Sequence, residues 1–199
     1  MKRLLLTALS CLIIFTLLGC SAKKASALEM YIEPAQLSKE EQAIVNLLDA
    51  SRARIFDLKL TDELKSAHIK VYRLEDGAWV PASGGGSMRI EGKKSRLALD
   101  FDVLADDLYV ALQGTESSAV KRIAPEKMDR GKMSVTTTSL ANRIEMQYEQ
   151  EVPLIVQIIS EKDVIMSYGP EIFSDPARLQ QYGYEYVYAV TVMFSKNPL

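Results

Sequence analysis

Cysteine and histidine are almost missing from this sequence. Of its 199 residues two are cysteine, Cys11 and Cys20, and one is histidine, His68. Everything after residue 20 lacks a thiol, so that part of the chain can form no disulfide, no thiolate metal site and no cysteine nucleophile. One histidine, without a His-Glu-x-x-His motif, leaves only carboxylates as further metal ligands, and these suit harder cations. Hydrolysis of the serine type needs a base, usually histidine. His68 is the sole candidate, at the start of an expected strand, and no Gly-x-Ser-x-Gly signature stands beside it. There is no excess of positive charge either. The 24 Lys and Arg residues face 26 Asp and Glu, a net of −2, which gives no support for nucleic-acid binding. Nor does any apolar run reach the about 20 residues that a spanning helix needs.

What is present begins with Met1, Lys2, Arg3 and a mostly apolar run from Leu4 to Leu18. Cations followed by a run of this length match the charged and hydrophobic regions of an export signal. The run ends at Leu17-Leu18-Gly19-Cys20. In these first twenty residues the chain resembles the bacterial lipoprotein class, whose lipobox ends in a small residue followed by a cysteine. Leu18 is a tolerated rather than a favoured residue at its place in the box. The resemblance implies a diacylglycerol on the Cys20 thiol and cleavage between Gly19 and Cys20. It also implies a lipid-anchored protein on the extracytoplasmic face of a cell membrane. Two acyl chains anchor stably where one does not. Removing Lys2 and Arg3 with the signal takes the basic residues from 24 to 22 against 26 acidic ones, a net of −4.

The chain then divides into a signal over 1–19, a lipidated tether over 20–30 and a single β-rich domain over 31–199. That length buries a real core without covalent staples. Ser38 and Glu41 form a capping box, and Ala43, Ile44, Leu47 and Leu48 make one apolar stripe, which predicts a helix over 39–50. Strand patterns follow. Residues 52–60 and 67–74 are β-branched and apolar, and Asp76-Gly77 marks a turn before Trp79. Ser83–Ser87 is a glycine-rich loop. In 96–103, Leu97, Leu99, Phe101 and Val103 alternate with Arg96, Ala98, Asp100 and Asp102, so one face is buried and the other wet. Leu108, Val110 and Leu112 repeat the pattern. Further strands are expected over 88–91, 120–123, 133–138, 143–149, 152–160 and 184–195. Asp175-Pro176 opens a short helix near 176–182 that Gly183 closes. No βαβ rhythm occurs. The reading is mainly β: an antiparallel sandwich or a partly open barrel with one amphipathic helix near its start. Beyond the lipobox, the capped helix and the Asp-Gly turn loosely resemble uncharacterised lipoproteins of Gram-positive bacteria, which supply no function.

Three constellations could carry chemistry. Asp100, Asp102, Asp106 and Asp107 suggest a calcium site, which takes six to eight oxygens. They lack the glycine and distal glutamate of a calcium loop, and a charged sheet edge explains them as well. Glu145, Glu149 and Asp100 could supply paired carboxylates for glycoside hydrolysis if their separation allowed it. Tyr182, Tyr184, Tyr186 and Tyr188 are spaced by two and run into Val190, Val192 and Phe194. They and Trp79 are the candidate contacts for a glycan or protein ligand, with core packing as the alternative. The function expected is a membrane-tethered, non-catalytic binding or assembly module without a cofactor. The alternatives are a carboxylate-based hydrolase of envelope polysaccharide and a purely structural envelope lipoprotein.

Overall fold

The computed structural model describes residues 30–47, 50, 52–82, 85–114, 118–123 and 133–199. The signal, Cys20 and all of the tether except Met30 lie outside the described residues.

Strands are numbered here in chain order. The first sheet runs, in space, β10 (Ile144–Glu145), β1 (Tyr31–Pro34), β2 (Arg54–Lys59), β6 (Lys94–Asp100), β7 (Leu108–Gln113) and β8 (Ser118–Ile123). The second runs β4 (Ala78–Pro81), β3 (Ser66–Glu75), β12 (Tyr186–Ser195), β11 (Glu151–Ser160) and β9 (Ser134–Ser139). β5 (Gly86–Arg89) pairs with the first half of β3, on the same edge as β4. All pairings are antiparallel. The two sheets pack as a sandwich and do not close, so of the two expected architectures the barrel is excluded.

Alternation decides which side chains meet between the sheets. Phe56 and Leu58 of β2, Leu97 and Leu99 of β6, and Leu108, Val110 and Leu112 of β7 face Ile69 and Val71 of β3 and Val190, Val192 and Phe194 of β12. Burying each such side chain stabilises by about 1.5–3 kcal/mol relative to leaving it exposed. Gln157 is the polar member of this interior. Its Oε1 accepts from the Leu104 N–H at 2.8 Å. Its Nε2 donates to the Asp102 carbonyl at 3.1 Å and the Thr137 hydroxyl at 2.9 Å.

β11 reads as almost uniformly apolar because both of its faces are covered. The register shifts between Pro153 and Ile155. Leu154 and Ile155 consequently both join the inter-sheet core, and Val156 and Ile158 turn to the opposite face. Residues 161–185 cross that outer face. They carry a 3-10 turn (Pro170–Ser174) and the short helix α2 (Pro176–Gln180). Tyr168, Ile172 and Leu179 form a second apolar cluster there with Val156, Ile158, Val187 and Ala189.

Local signals hold where they are strongest. α1 (Lys39–Leu47) starts with the expected box: Glu41 N–H donates to Ser38 Oγ at 3.2 Å, and Ser38 N–H to Glu41 Oε2 at 2.8 Å. Asp76 and Gly77 both have positive φ, at 48° and 79°, as a two-residue turn of type I′ requires. The expected strand over 143–149 is a correction. Only Ile144 and Glu145 pair, with β1, and the chain turns through Glu149 at φ 59° into β11. The final strand starts at Tyr186 rather than residue 184.

Candidate functional site

The outer face of the first sheet carries a groove of about 460 Å³. Antiparallel register builds it as two cross-strand rows. Glu33, Asp57, Arg96 and Gln113 stand opposite one another on β1, β2, β6 and β7. Glu145, Tyr31, Lys59 and Lys94 form the neighbouring row on β10, β1, β2 and β6. Each residue is two positions from its neighbour along its strand, and that spacing puts both rows on one face.

The groove's electrostatics are arranged around Arg96. Its Nε donates to Asp57 Oδ1 at 2.7 Å, and a second guanidinium nitrogen donates to Glu41 of α1. Its hydrogen bonds to Asp57 and then to Glu41 raise the Arg96 pKa above its ordinary value. The Glu41 carboxyl is lowered, first by the Ser38 N–H and then by Arg96. The guanidinium of Arg143 lies 3.5 Å from the centroid of Tyr31, and Lys59 Nζ lies 5.5 Å from it. Two opposed pairs remain like-charged, Glu33 with Asp57 and Lys59 with Lys94. Like charges directly opposite on a sheet are destabilising. Each row mixes carboxylates with Lys or Arg, so the face offers both hydrogen-bond acceptors and donors to one extended polar molecule.

The sequence-predicted aromatics do not converge on one site. Tyr186 and Tyr188 enter the core between the sheets. Tyr182 and Tyr184 precede the strand and join the cluster on the opposite side of the second sheet, stacked at 5.8 Å. Trp79 is half-buried in that same cluster against Phe173. Tyr168, in the cluster too, has its hydroxyl pKa pushed up to about 12, first by desolvation and then by Tyr182.

The aspartates separate as well. Asp102 faces Arg52 at 3.6 Å. Asp107 takes both its oxygens to Arg122 at 2.7 Å. One Asp100 oxygen is buried without a hydrogen bond. Asp106 lies in the turn that closes back on Val103. Among the described residues no group of three His, Cys, Asp or Glu side chains could hold a metal ion. Asp100 and Glu145 sit on strands three steps apart, about 14 Å at ordinary strand spacing. That exceeds the about 5–9.5 Å of a glycosidase pair. Glu149 is turned toward Ser195, whose hydroxyl it accepts.

His68 lies on the outer face of the second sheet, opposite to Ala67 and Ile69, which enter the core. Ser66 Oγ gives its one proton to the Asn197 carbonyl at 2.7 Å, so toward His68 Nε2, at 3.0 Å, it accepts. Nδ1 is then left to accept from Ser87 Oγ at 2.8 Å. The order is that of a nucleophile and its base. The third member, however, is a neutral hydroxyl with no charge to stabilise an imidazolium. Beside it, Glu151 accepts from Lys70, from Tyr72 Oη at 2.8 Å and from Thr191 Oγ1 at 3.3 Å. Desolvation pushes the Glu151 carboxyl up, but Lys70 and Tyr72 outweigh it and the net shift is downward.

Sequence reasoning missed the groove. Its only trace was the wet half of the alternation, Arg96 and its strand-mates, and nothing local says which wet residues will be neighbours. Among the described residues no helix is long and apolar enough to cross a membrane. Comparison with known proteins finds no matching family model, no matching curated protein and no matching solved structure.

Proposed function

We propose that this protein is a lipid-anchored, non-catalytic binding module on the extracytoplasmic face of a cell membrane, and that the groove on its first sheet takes an extended, hydroxyl-rich ligand such as an envelope glycan. The observation that carries the reading is the pair of rows, Glu33–Asp57–Arg96–Gln113 and Glu145–Tyr31–Lys59–Lys94. A sugar chain presents hydroxyls that both donate and accept, which suits rows that mix carboxylates with lysine and arginine. The half-buried Tyr31, held by Arg143 3.5 Å from its ring centroid, adds a phenol hydroxyl to the polar groups of the groove. The anchor rests on the charge, run length, Gly19 and Cys20 of the first twenty residues.

Calorimetric titration of the full-length protein with soluble envelope-glycan fragments tests the groove. Tyr31→Ala and Gln113→Ala are expected to weaken binding at least about tenfold, the loss of a 1.4 kcal/mol contact, in protein that keeps the wild-type circular dichroism spectrum. Wild-type protein that binds no fragment, or variants that bind as well as wild type, overturn the reading. Mass spectrometry of membrane-extracted protein tests the anchor separately. The expected mature chain begins at a diacylglyceryl Cys20, and an unmodified start elsewhere refutes it.

A further inference from the structure

We infer that β9 is the edge at which two copies of this chain pair, strand to strand. The four strands at the ends of the two sheets differ in how their edges are protected, independently of the groove. An edge strand presents unpaired N–H and C=O groups, and proteins blunt it with charge, proline or shortness. β8 carries Lys121 and Arg122, β4 ends in Pro81, and β10 is two residues long. β9 has none of these. It reads Ser-Val-Thr-Thr-Thr-Ser, six residues without a charge, a proline or a glycine.

β9 is also held ready to pair. One edge is fully engaged with β11, from Ile155 opposite Ser139 to Ser160 opposite Ser134. Thr137 is fixed by Gln157 from the core side, and Thr138 donates to the Tyr168 carbonyl on the other. Among the described residues, no backbone group of β9 bonds to anything beyond its own sheet.

The occupant follows from the composition. A twofold axis perpendicular to an antiparallel ladder passes between identical residues, so a self-pair centred on Thr136 or Thr137 sets hydroxyl against hydroxyl along the strand. Val135 then faces threonine or serine. Thr–Thr and Thr–Ser pairs across strands are favourable, and no like charges meet. β8 paired with its own copy would instead bring Lys121 and Arg122 against their equivalents. An isologous contact of this kind closes at two copies.

Sedimentation of the full chain in detergent, with hydrogen exchange of β9, tests the inference. Wild type is expected as a dimer at high concentration, with β9 amides more protected as concentration rises. Thr136→Lys is expected to sediment as a monomer, with the same circular dichroism and melting temperature. Both chains carry the same N-terminal segment, so the difference reports β9 and not the anchor. A misfolded variant is distinguished by mixing: Thr136→Lys with Thr136→Glu should restore the dimer that neither forms alone. A wild type that stays monomeric at every concentration, or a dimer that survives Thr136→Lys, overturns the proposal.

Discussion

The indole Nε1 of Trp79 donates to the backbone carbonyl of Phe173 at 2.9 Å, while the two rings stack with centroids 5.1 Å apart. One side chain thus clamps the segment crossing the second sheet to β4. Tyr72 adds a tilted contact to Phe173 at 5.4 Å. The geometry ties the indole's hydrogen-bond donor and one ring face into the protein's own packing.

Trp79→Ala is expected to destabilise the protein by about 2–3 kcal/mol, less than a fully buried aromatic truncation because the site is half-buried. Part of the loss is the Phe173 carbonyl left without its donor. Trp79→Phe should cost less, keeping the stack and losing the hydrogen bond. Urea unfolding measures both, and glycan binding at the groove should not change. Unaltered stability with lost binding would return Trp79 to a surface role.

The contrast between Tyr184 and Tyr186 shows how far the sequence could be read. Their spacing is that of one strand face, yet the strand begins at Tyr186, so the pair ends up on opposite sides of a sheet. Alternation at Leu97 and Leu99, the Ser38–Glu41 box and the Asp76-Gly77 turn are local, and each was legible. The bulge at Pro153–Ile155 was hidden because every residue after it is apolar or enclosed. The rows through Asp57 and Arg96 depend on long-range register, which no local pattern encodes. Residues 143–149 alternate well, but only Ile144 and Glu145 find a partner strand.

Gln157 gives a second expectation. Its side chain, itself fully buried, accepts from the buried Leu104 N–H and donates to the Asp102 carbonyl. Gln157→Leu keeps the volume, orphans the buried Leu104 N–H at about 1–3 kcal/mol, and removes the bonds to the Asp102 carbonyl and the Thr137 hydroxyl, each worth about 1 kcal/mol net. A loss of about 2–4 kcal/mol by urea unfolding is expected. A change under 1 kcal/mol, roughly the net worth of one ordinary hydrogen bond, would mean the amide is not the element that ties this turn to β11.

Glu151 sets a pH dependence whose sign can be worked out. Desolvation disfavours its charge, but hydrogen bonds from Lys70 and Tyr72 hold the folded carboxyl below the ordinary 4.5. A group depressed in the folded state stabilises fully above its unfolded value and loses that contribution as pH falls through the folded one. Wild-type stability should therefore drop below about pH 4.5 more steeply than that of Glu151→Gln, with the two curves converging in acid. At neutral pH the variant should be weaker by about 1 kcal/mol, a charged hydrogen bond discounted for partial exposure. Parallel melting curves across that pH range would remove Glu151 from the account.

α1 provides the last expectation, because its attachment is unusual. No residue of this helix is buried, and Ile44 and Leu47 are 57% and 84% exposed. Packing therefore contributes little, and the helix depends on the Ser38–Glu41 box and on the bond from Arg96 to Glu41. Ser38→Ala should weaken the helix by about 1 kcal/mol, the usual cost of losing such a cap. Helix opening is then separable from global unfolding. Hydrogen exchange at 42–47 should accelerate several-fold while the urea midpoint stays put. Arg96→Met should loosen the same amides and also free Asp57 in the groove. If Ser38→Ala lowers the urea midpoint along with helix protection, α1 is part of the cooperative core despite its exposure.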